Sequence, residues 1–348
     1  MHTVKAWGAP SAGKQLEPMT IERREPGPRD VVIDVKFCGV CHSDIHQARD
    51  EWSGAMFPMV PGHEVVGIVT RVGSDVTKVK VGDKAGVGCM VDSCHDCPPC
   101  AEGVEQYCMK GMAPTYNGTE MDRKTPTYGG YATELVVSEA FALRIPDSLD
   151  LAGAAPLLCA GITTYSPLRQ LGCKAGDRVG VVGLGGLGHM AVKLAASMGA
   201  KVTVLSTSSS KEEDARRLGA SDFVVTKDPA ALGRIAGKLD LIIDTVSAEH
   251  DYNAYLRLLR ARGAMVLVGA PPGPTSIQAF SLIGGGKQLL GSMIGGIAET
   301  QEMLEHCANH GVVSDVEVIP IQKINEAYER VLKSDVRYRF VIDLASLS

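Results

Sequence analysis

Hydrophobic and polar positions change rhythm twice along the chain. Up to about residue 150, short β-branched runs such as Val31-Val32-Ile33-Asp34-Val35 and Val65-Val66-Gly67-Ile68-Val69 are separated by turns at Pro26-Gly27-Pro28, Pro61-Gly62 and Gly82-Asp83. Runs of this kind bounded by Gly, Pro and Asp predict strands. The long irregular stretches between them need a reason inside a compact domain, and a bound metal is one. From about residue 151, five or six apolar strand candidates recur: Arg178–Gly183, Lys201–Leu205, Phe223–Thr226, Leu239–Asp244, Ala264–Gly269 and Gln288–Met293. Helical patterns lie between most of them, as in Leu187–Met198, where Met190, Leu194 and Met198 fall on one side. Alternating β and α units predict a parallel sheet with helices on both faces, a doubly wound α/β arrangement. The final stretch leaves that rhythm. Glu299–Asn309 predicts a helix ending before Gly311, Ile324–Leu332 a second amphipathic helix, and Tyr338–Ile342 a strand.

Composition adds constraints without changing the outline. The 348 residues, 45% apolar and 22% charged, leave room for two ordinary cores. Met1-His2-Thr3-Val4-Lys5 lacks the apolar centre of a signal peptide. No run approaches the roughly 20 apolar residues of a membrane span. A cytoplasmic location and no membrane partner are therefore expected. A net charge of −5 argues against nucleic-acid binding, which wants a basic surface.

Five of the 10 cysteines crowd between Cys89 and Cys108. In a reducing compartment, clustered cysteines read as metal ligands. Cys94, Cys97, Cys100 and Cys108 offer four thiolates within one loop, stiffened by Pro98-Pro99. Four sulfurs close a tetrahedral zinc shell and leave no exchangeable position, which implies a structural metal. An iron–sulfur cluster uses similar spacing, but nothing nearby suggests electron transfer. His95 lies inside the loop and is expected to be exposed and not a ligand. Cys38, Cys173 and Cys307 are read as buried, inert thiols.

Gly183-Leu184-Gly185-Gly186-Leu187-Gly188 follows the strand candidate Arg178-Val179-Gly180-Val181-Val182 and opens a helix. That context turns a weak G-x-G-x-x-G match into a dinucleotide-binding turn of the Rossmann kind. Gly183 permits the tight turn, Gly185 lets backbone approach a pyrophosphate, and Gly188 lets helix and strand pack closely. The backbone of Gly183, Gly185, Gly186, Leu187 and Gly188 is the expected cradle, with amides of the helix start facing the phosphates. An NAD enzyme carries an acid at the end of the next strand to hold the ribose hydroxyls. Here Leu205 is followed by Ser206, Thr207, Ser208, Ser209, Ser210 and Lys211. Ser206, Thr207 and Ser208 can donate to a 2′-phosphate and Lys211 supplies charge, which predicts NADP(H). The serines also suit a helix cap, and both roles are compatible.

A second set of candidate ligands is dispersed: Cys41 in Cys41-His42-Ser43-Asp44-Ile45-His46, His63 and Glu64 after Pro61-Gly62, and Cys159 in Leu157-Leu158-Cys159-Ala160-Gly161. Gly62-His63-Glu64-x2-Gly67-x5-Gly73-x2-Val76 resembles the motif of zinc-dependent medium-chain alcohol dehydrogenases. The Cys41 stretch, the four-cysteine loop and the dinucleotide turn follow in that family's order, so the resemblance covers nearly the whole chain. Cys38-Gly39-Val40-Cys41-His42-Ser43-Asp44, Ala155–Tyr165 and Gly291-Ser292-Met293-Ile294-Gly295-Gly296 resemble its cinnamyl-alcohol-dehydrogenase-type branch, which includes bacterial broad-range NADPH-dependent aldehyde reductases.

The resemblance implies a GroES-like, partly antiparallel catalytic domain over residues 1–154, a Rossmann domain over 155–293, and a segment, 294–348, completing the first. It implies Cys41, His63 and Cys159 as catalytic zinc ligands with a fourth position open, and Glu64 either approaching the metal or standing beside it. Two zinc ions per chain follow, one catalytic and one structural. Asp44 resembles the carboxylate that orients the histidine ligand. Ser43 resembles the hydroxyl beside the substrate oxygen, and His46 the outer end of a proton relay linked through the cofactor ribose. His42 stands where relatives carry a basic pyrophosphate contact, and Thr163 where they meet the nicotinamide. Val268, Ser292 and Ile294 are further expected cofactor contacts. Trp52, Cys89 and Met293 are candidate pocket residues that could equally be core or rim. The implied reaction is alcohol–aldehyde interconversion, with small-molecule substrates and a homodimeric assembly. A zinc-free quinone reductase on this fold would lack the Cys41/His63/Cys159 set. A non-enzymatic NADP(H) sensor would have no use for Ser43 and His46.

Overall fold

The computed structural model describes residues Met1–Leu347. It separates into two compact units, Met1–Ile162 together with the residues from Gly295 onward, and Thr163–Ile294. The first boundary falls after Ile162, not after residue 154. The reason is packing: the short helices Leu151–Ala154 and Ala155–Leu158 lie against strands Asp30–Gly39 and Val65–Val72 of the first unit. The second boundary follows Ile294, one residue beyond the sequence expectation.

The first unit is built on a seven-stranded sheet. Its order is Leu143–Arg144, Lys84–Val87, Val65–Val72, Asp30–Gly39, Arg339–Asp343 and Val316–Pro320, with Glu134–Ser138 also pairing to Asp30–Gly39. All pairs are antiparallel except Val316–Pro320 with Arg339–Asp343. The C-terminal strand begins one residue later than Tyr338, and its register sets Ile342 opposite Cys38 and Val341 opposite Gly39. That pairing is how the tail completes the first unit. Helix Ile297–His310 ends on Gly311 in the left-handed region (φ 64°), the conformation a glycine cap supplies without a Cβ penalty. Helix Ile324–Leu332 buries Ile324, Ala327, Tyr328 and Val331, the stripe its periodicity predicts.

The second unit is a six-stranded, wholly parallel sheet. Its order is Asp222–Val225, Lys201–Ser206, Arg178–Val182, Leu239–Asp244, Leu259–Leu267 and Gln288–Gly291. All six strands were legible as apolar runs. The fifth starts at Leu259, ahead of the expected Ala264, because Arg260, Ala261 and Arg262 break the apolar pattern at an irregularity in the pairing between Leu239 and Leu241. Chain direction across the sheet reverses between Arg178–Val182 and Leu239–Asp244. Doubly wound sheets hold their ligands at the carboxyl ends of strands at such a switch.

Among the described residues no single helix is long and apolar enough to cross a membrane. The bent pair Leu151–Leu158 and Ala160–Gln170 passes that test together, but nearly all of its residues are buried within the protein.

Ile242 is fully buried with Val182, Leu205, Met265 and Leu256 in the core of the second unit. Ile242→Ala removes three side-chain carbons from a site whose neighbours are fixed by sheet pairing. The expected cost is about 2–5 kcal/mol, read as a fall in the denaturant midpoint of this unit.

Candidate active site and dinucleotide turn

Strand Asp30–Gly39 delivers Cys41 to the start of helix His42–Ala48. Asp44, in the first turn, accepts from the Cys41 backbone N–H at 2.8 Å, closing that turn. Its other oxygen accepts from the Gly62 N–H at 3.2 Å and from His63 Nδ1 at 3.1 Å. Tyr131 donates its hydroxyl to the same carboxylate at 3.2 Å. With Nδ1 committed to Asp44, Nε2 is the nitrogen His63 has left to offer a metal, on giving up its proton. Gly62, at φ 108°, is required here: a Cβ would meet Cys38 Sγ at 2.7 Å and the Gly130 nitrogen at 2.9 Å.

Cys159 follows helix Ala155–Leu158 and lies with its sulfur 4.0 Å from Cys41 Sγ. Ligand atoms of Cys41, His63, Glu64 and Cys159 all lie within 4.8 Å of one another. Hydrogen bonding from Cys159 and His63 holds the Cys41 thiol well below its ordinary pKa, and the same pairing pushes Cys159 up. Burial opposes protonation of His63, but Asp44 overrides it and holds the imidazole well above its usual range. Two cysteine sulfurs and an imidazole gathered in one buried place are a donor set that a divalent zinc ion fits.

Glu64 is fully buried. One oxygen pairs with Arg339 Nη2 and the other has no partner among the described residues. Burial pushes the Glu64 carboxyl up to about 7 against the pull of Arg339. Burial also disfavours the arginine's charge, but Glu64, Cys41 and Cys159 outweigh it and hold that charge firmly. Ser43 Oγ lies 3.6 Å from Cys41 Sγ. His46, about one turn along the same short helix, bonds Glu51 through Nδ1 at 2.5 Å and stacks on Trp52 with centroids 4.8 Å apart.

The four-cysteine loop also gathers as expected, with all four ligand atoms within 4.8 Å of one another. Cys94 and Cys100 sulfurs are 3.9 Å apart, and Cys97 and Cys100 3.4 Å. The Met109 N–H donates to Cys97 Sγ at 3.4 Å and pulls that thiol down to about 6. His95 is exposed and bonds Asp92, outside the cluster.

In the second unit Gly183 has φ 87°, and a Cβ on Gly188 would lie 2.2 Å from the Gly183 carbonyl oxygen. A Cβ on Gly185 would meet nothing within 4 Å, so this position faces open space. Gly186 and Leu187 complete the turn before helix Gly188–Ser197. Ser206 ends its strand buried, and Thr207 is exposed. Ser208 Oγ accepts from the Ser210 N–H at 3.2 Å, so the capping role is real. Lys211 donates to the Leu184 carbonyl of the glycine turn at 2.9 Å.

The remaining candidates are scattered more widely. His42 is exposed, Thr163 is buried in helix Ala160–Gln170, and Val268 donates its N–H to the Asp244 carbonyl at 3.0 Å. Ser292 donates its N–H to Leu267, and Ile294 adopts φ 41°. Cys89 sits beside Cys159, whose hydrogen bonding lowers its pKa. Trp52 is 54% exposed and Met293 is exposed, so neither belongs to a core. Cys38 and Cys307 are buried as expected. Cys173 is not: it is half-exposed, because it follows the end of helix Ala160–Gln170 in a surface turn.

Comparison with known proteins places this arrangement. The alcohol dehydrogenase GroES-like domain matches residues 27–147, and the zinc-binding dehydrogenase domain matches 186–309. NADP-dependent alcohol dehydrogenase C 1 of Mycolicibacterium smegmatis is 58% identical over all of this chain and 99% of its own length. The chain belongs to the zinc-dependent medium-chain alcohol dehydrogenases. Aldehyde reductase YahK of Escherichia coli is 52% identical to this alcohol dehydrogenase over 99% of each chain. The solved cinnamyl alcohol dehydrogenase of Sorghum bicolor superposes with a TM-score of 0.95 at 49% identity, covering 99% of this chain and 98% of that one.

Sequence reasoning missed Arg339, Tyr131 and Glu51. Arg339 left a signal, a lone cation opening the apolar run Phe340-Val341-Ile342. Tyr131 left none, since only the fold brings it to Asp44, and Glu51, five residues past His46, lies beyond the helix end where no helical spacing marks it.

Asp44→Asn removes the acceptor charge behind His63 while nearly preserving shape. Zinc affinity at the Cys41 site is expected to fall about 10–100-fold, read by chelator competition, with retention at the four-cysteine loop unchanged.

Proposed function

We propose that this alcohol dehydrogenase interconverts primary alcohols and aldehydes, aromatic and aliphatic, with NADP(H), at a zinc held by Cys41, His63 and Cys159. A second zinc is held by Cys94, Cys97, Cys100 and Cys108. The observation that carries this reading is the buried donor set whose imidazole Asp44 holds in place through Nδ1. Tetrahedral zinc with sulfur at about 2.3 Å separates its sulfurs by about 3.8 Å. The 4.0 Å between Cys41 and Cys159 and the 3.9 Å between Cys94 and Cys100 lie close to that figure, and the 3.4 Å between Cys97 and Cys100 is shorter than it. Four sulfurs close the loop site, which makes it structural. Two thiolates and an imidazole leave a position for substrate oxygen, with Glu64 at its side.

When bound, zinc supplies Lewis-acid polarisation of the substrate oxygen and the nicotinamide supplies or accepts hydride. The protein's own work is to hold, exclude and move protons. Ser43 Oγ, beside Cys41, accepts the hydroxyl proton in oxidation as it gives up its own toward His46, and the shift runs backwards in reduction. His46 exchanges that proton with water, and Glu51 anchors its Nδ1. Cys89 and Trp52 bound the substrate's approach to the Cys41 site. Gly183, Gly185 and Gly188 receive the pyrophosphate, and Lys211 with Thr207 and Ser208 receives the 2′-phosphate. The tether of Lys211 to Leu184 draws its charge to the glycine turn. The names of the relatives, an NADP-dependent alcohol dehydrogenase and an aldehyde reductase, support the same cofactor and substrate class.

A homodimer fits the edge strand Gln288–Gly291, whose outer side is unpaired in the sheet order. Phe280 and Ile283, 81% and 67% exposed, lie just before it in the chain. Ten unpaired thiols suit a reducing, cytoplasmic setting.

An aldehyde panel assayed by NADPH oxidation is expected to give broad activity, with about two zinc ions per chain by metal analysis. At most one zinc, or no turnover of any aldehyde, would sink the reading. His46→Gln is expected to slow turnover and move its pH profile. Lys211→Ala is expected to lower kcat/KM about tenfold or more with NADPH and little with NADH, the loss of a charged hydrogen bond. Equal losses with both cofactors would remove Lys211 from the phosphate site.

A further inference from the structure

Asp244 ends the strand beside the glycine turn, and its carboxylate is buried. Its two oxygens reach into the loop that follows. Oδ1 accepts from the Val246 N–H at 3.1 Å, and Oδ2 bonds His250 Nε2 at 2.8 Å. His250 Nδ1 bonds the Ala248 carbonyl at 2.8 Å. Both ring nitrogens therefore face acceptors, and only an imidazolium can donate to both. The loop that this ring closes forms the wall of the turn. A Cβ on Gly183 would meet Val246 Cγ2 at 2.8 Å and Thr245 Oγ1 at 3.1 Å, and one on Gly188 would meet Thr245 Oγ1 at 3.2 Å. Thr245 is itself pinned to the Val182 carbonyl, at 2.7 Å from its hydroxyl.

We propose that the His250–Asp244 pair is a positioning clamp that holds Thr245 and Val246 against the dinucleotide turn and so sets the affinity for NADP(H) without touching the reacting atoms. The proposal rests on the reading that the glycine turn seats the cofactor. The clamp is complete only while His250 carries its second proton. Once neutral, the ring keeps a donor for Asp244 or for Ala248, not both, and the loop between them is freed.

The charged and titratable groups around the ring are few. Asp244 and Asp251 favour its cation, and Tyr252 and Tyr255 pack their rings on it, with centroids at 4.3 and 5.5 Å. Burial holds both phenols above their ordinary range, so they stay neutral while the imidazole titrates. The hydrogen bond to Asp244 lifts His250 above its ordinary 6.5. A raised histidine pKa fixes the sign. The clamp is closed below that pKa and opens as pH rises through it, so cofactor binding weakens on the alkaline side.

The test is NADPH affinity, by fluorescence titration from pH 6 to 9.5, on the whole enzyme. In the native chain the dissociation constant is expected to rise about three- to tenfold over the alkaline arm, the part of a charge-assisted hydrogen bond that a loop passes on to its ligand. His250→Gln is expected to bind weakly at neutral pH with no alkaline arm, and to keep kcat at saturating NADPH. His250→Arg restores a cation that does not titrate, and is expected to bind more tightly than the glutamine variant at every pH. A glutamine variant with native affinity and the native arm overturns the clamp. Because a variant can fail by misfolding, the native chain supplies an independent measurement. By linkage, NADPH must raise the His250 pKa, followed by NMR of the imidazole ring carbon. An identical titration with and without NADPH overturns the clamp as well. Gly185→Val separates the two readings, since only a ligand occupies the space its side chain would enter. Loss of NADPH binding there, with an unaltered His250→Gln, removes the clamp alone. Native binding by Gly185→Val removes both.

Discussion

A buried carboxylate with no water to solvate it must spend every lone pair on the protein, and Asp44 does so. Its four partners come from three separate pieces of chain: the Cys41 N–H, the Gly62 N–H with His63 Nδ1, and the Tyr131 hydroxyl. These bonds tie the first helical turn to the Pro61-Gly62-His63 corner, and so bring Cys41 and His63 to one place before any metal is considered. The sheet does the coarse work, since Cys41 follows strand Asp30–Gly39 and Glu64 precedes its neighbour Val65–Val72. The carboxylate does the fine work. Losing it would leave the imidazole free to rotate and the Gly62 N–H unsatisfied.

The two cysteine sites solve different problems with the same ligand type. In the four-cysteine loop the donors are neighbours in sequence, Cys94 and Cys100 partly exposed and Cys97 and Cys108 buried, and a backbone N–H supports one of the sulfurs. Such a site can organise its own loop, and no other element has to be in place. At the Cys41 site the donors come from distant segments and sit among buried charges. Glu64 and Arg339 face one another there, and neither would be tolerated in that interior alone. The pair is thus a local neutral unit placed beside the Cys41 thiolate and the His63 imidazole. A metal held there by Cys41, His63 and Cys159 would keep one position for a reacting oxygen, which a metal held by four sulfurs would not.

Legibility in the sequence followed locality. The six parallel strands, the glycine turn and the four-cysteine loop are each written within a few dozen residues, and each was read with small errors at its ends. Cys41, His63 and Cys159 were recognisable only through resemblance, because no spacing rule joins residues so far apart. Arg339 and Tyr131 went unseen for the same reason in stronger form, since only the folded sheet brings them to Glu64 and Asp44, whereas Glu51, five residues past His46, lies beyond the end of helix His42–Ala48 where no helical spacing pairs the two. The boundary after Ile162 was misplaced because the run from Leu151 is apolar throughout, and composition cannot say which sheet such a run will cover.

The glycine turn shows how closely walls can approach when backbone meets backbone. Gly188 abuts the Gly183 carbonyl, and a Cβ on Gly269 would lie 2.5 Å from the Val246 carbonyl oxygen. Three glycines from two segments thus let the turn, the Thr245–Val246 loop and the end of strand Leu259–Leu267 meet backbone to backbone. Contacts of that kind are stiff but carry no directional lock of their own. The lock comes from Asp244, whose carbonyl accepts the Val268 and Gly269 N–H groups while its carboxylate holds Val246 and His250. One residue at the switch point therefore fixes both loops that border the glycine turn. The glycines set how near the walls can stand, and the charge behind them sets whether they stay there.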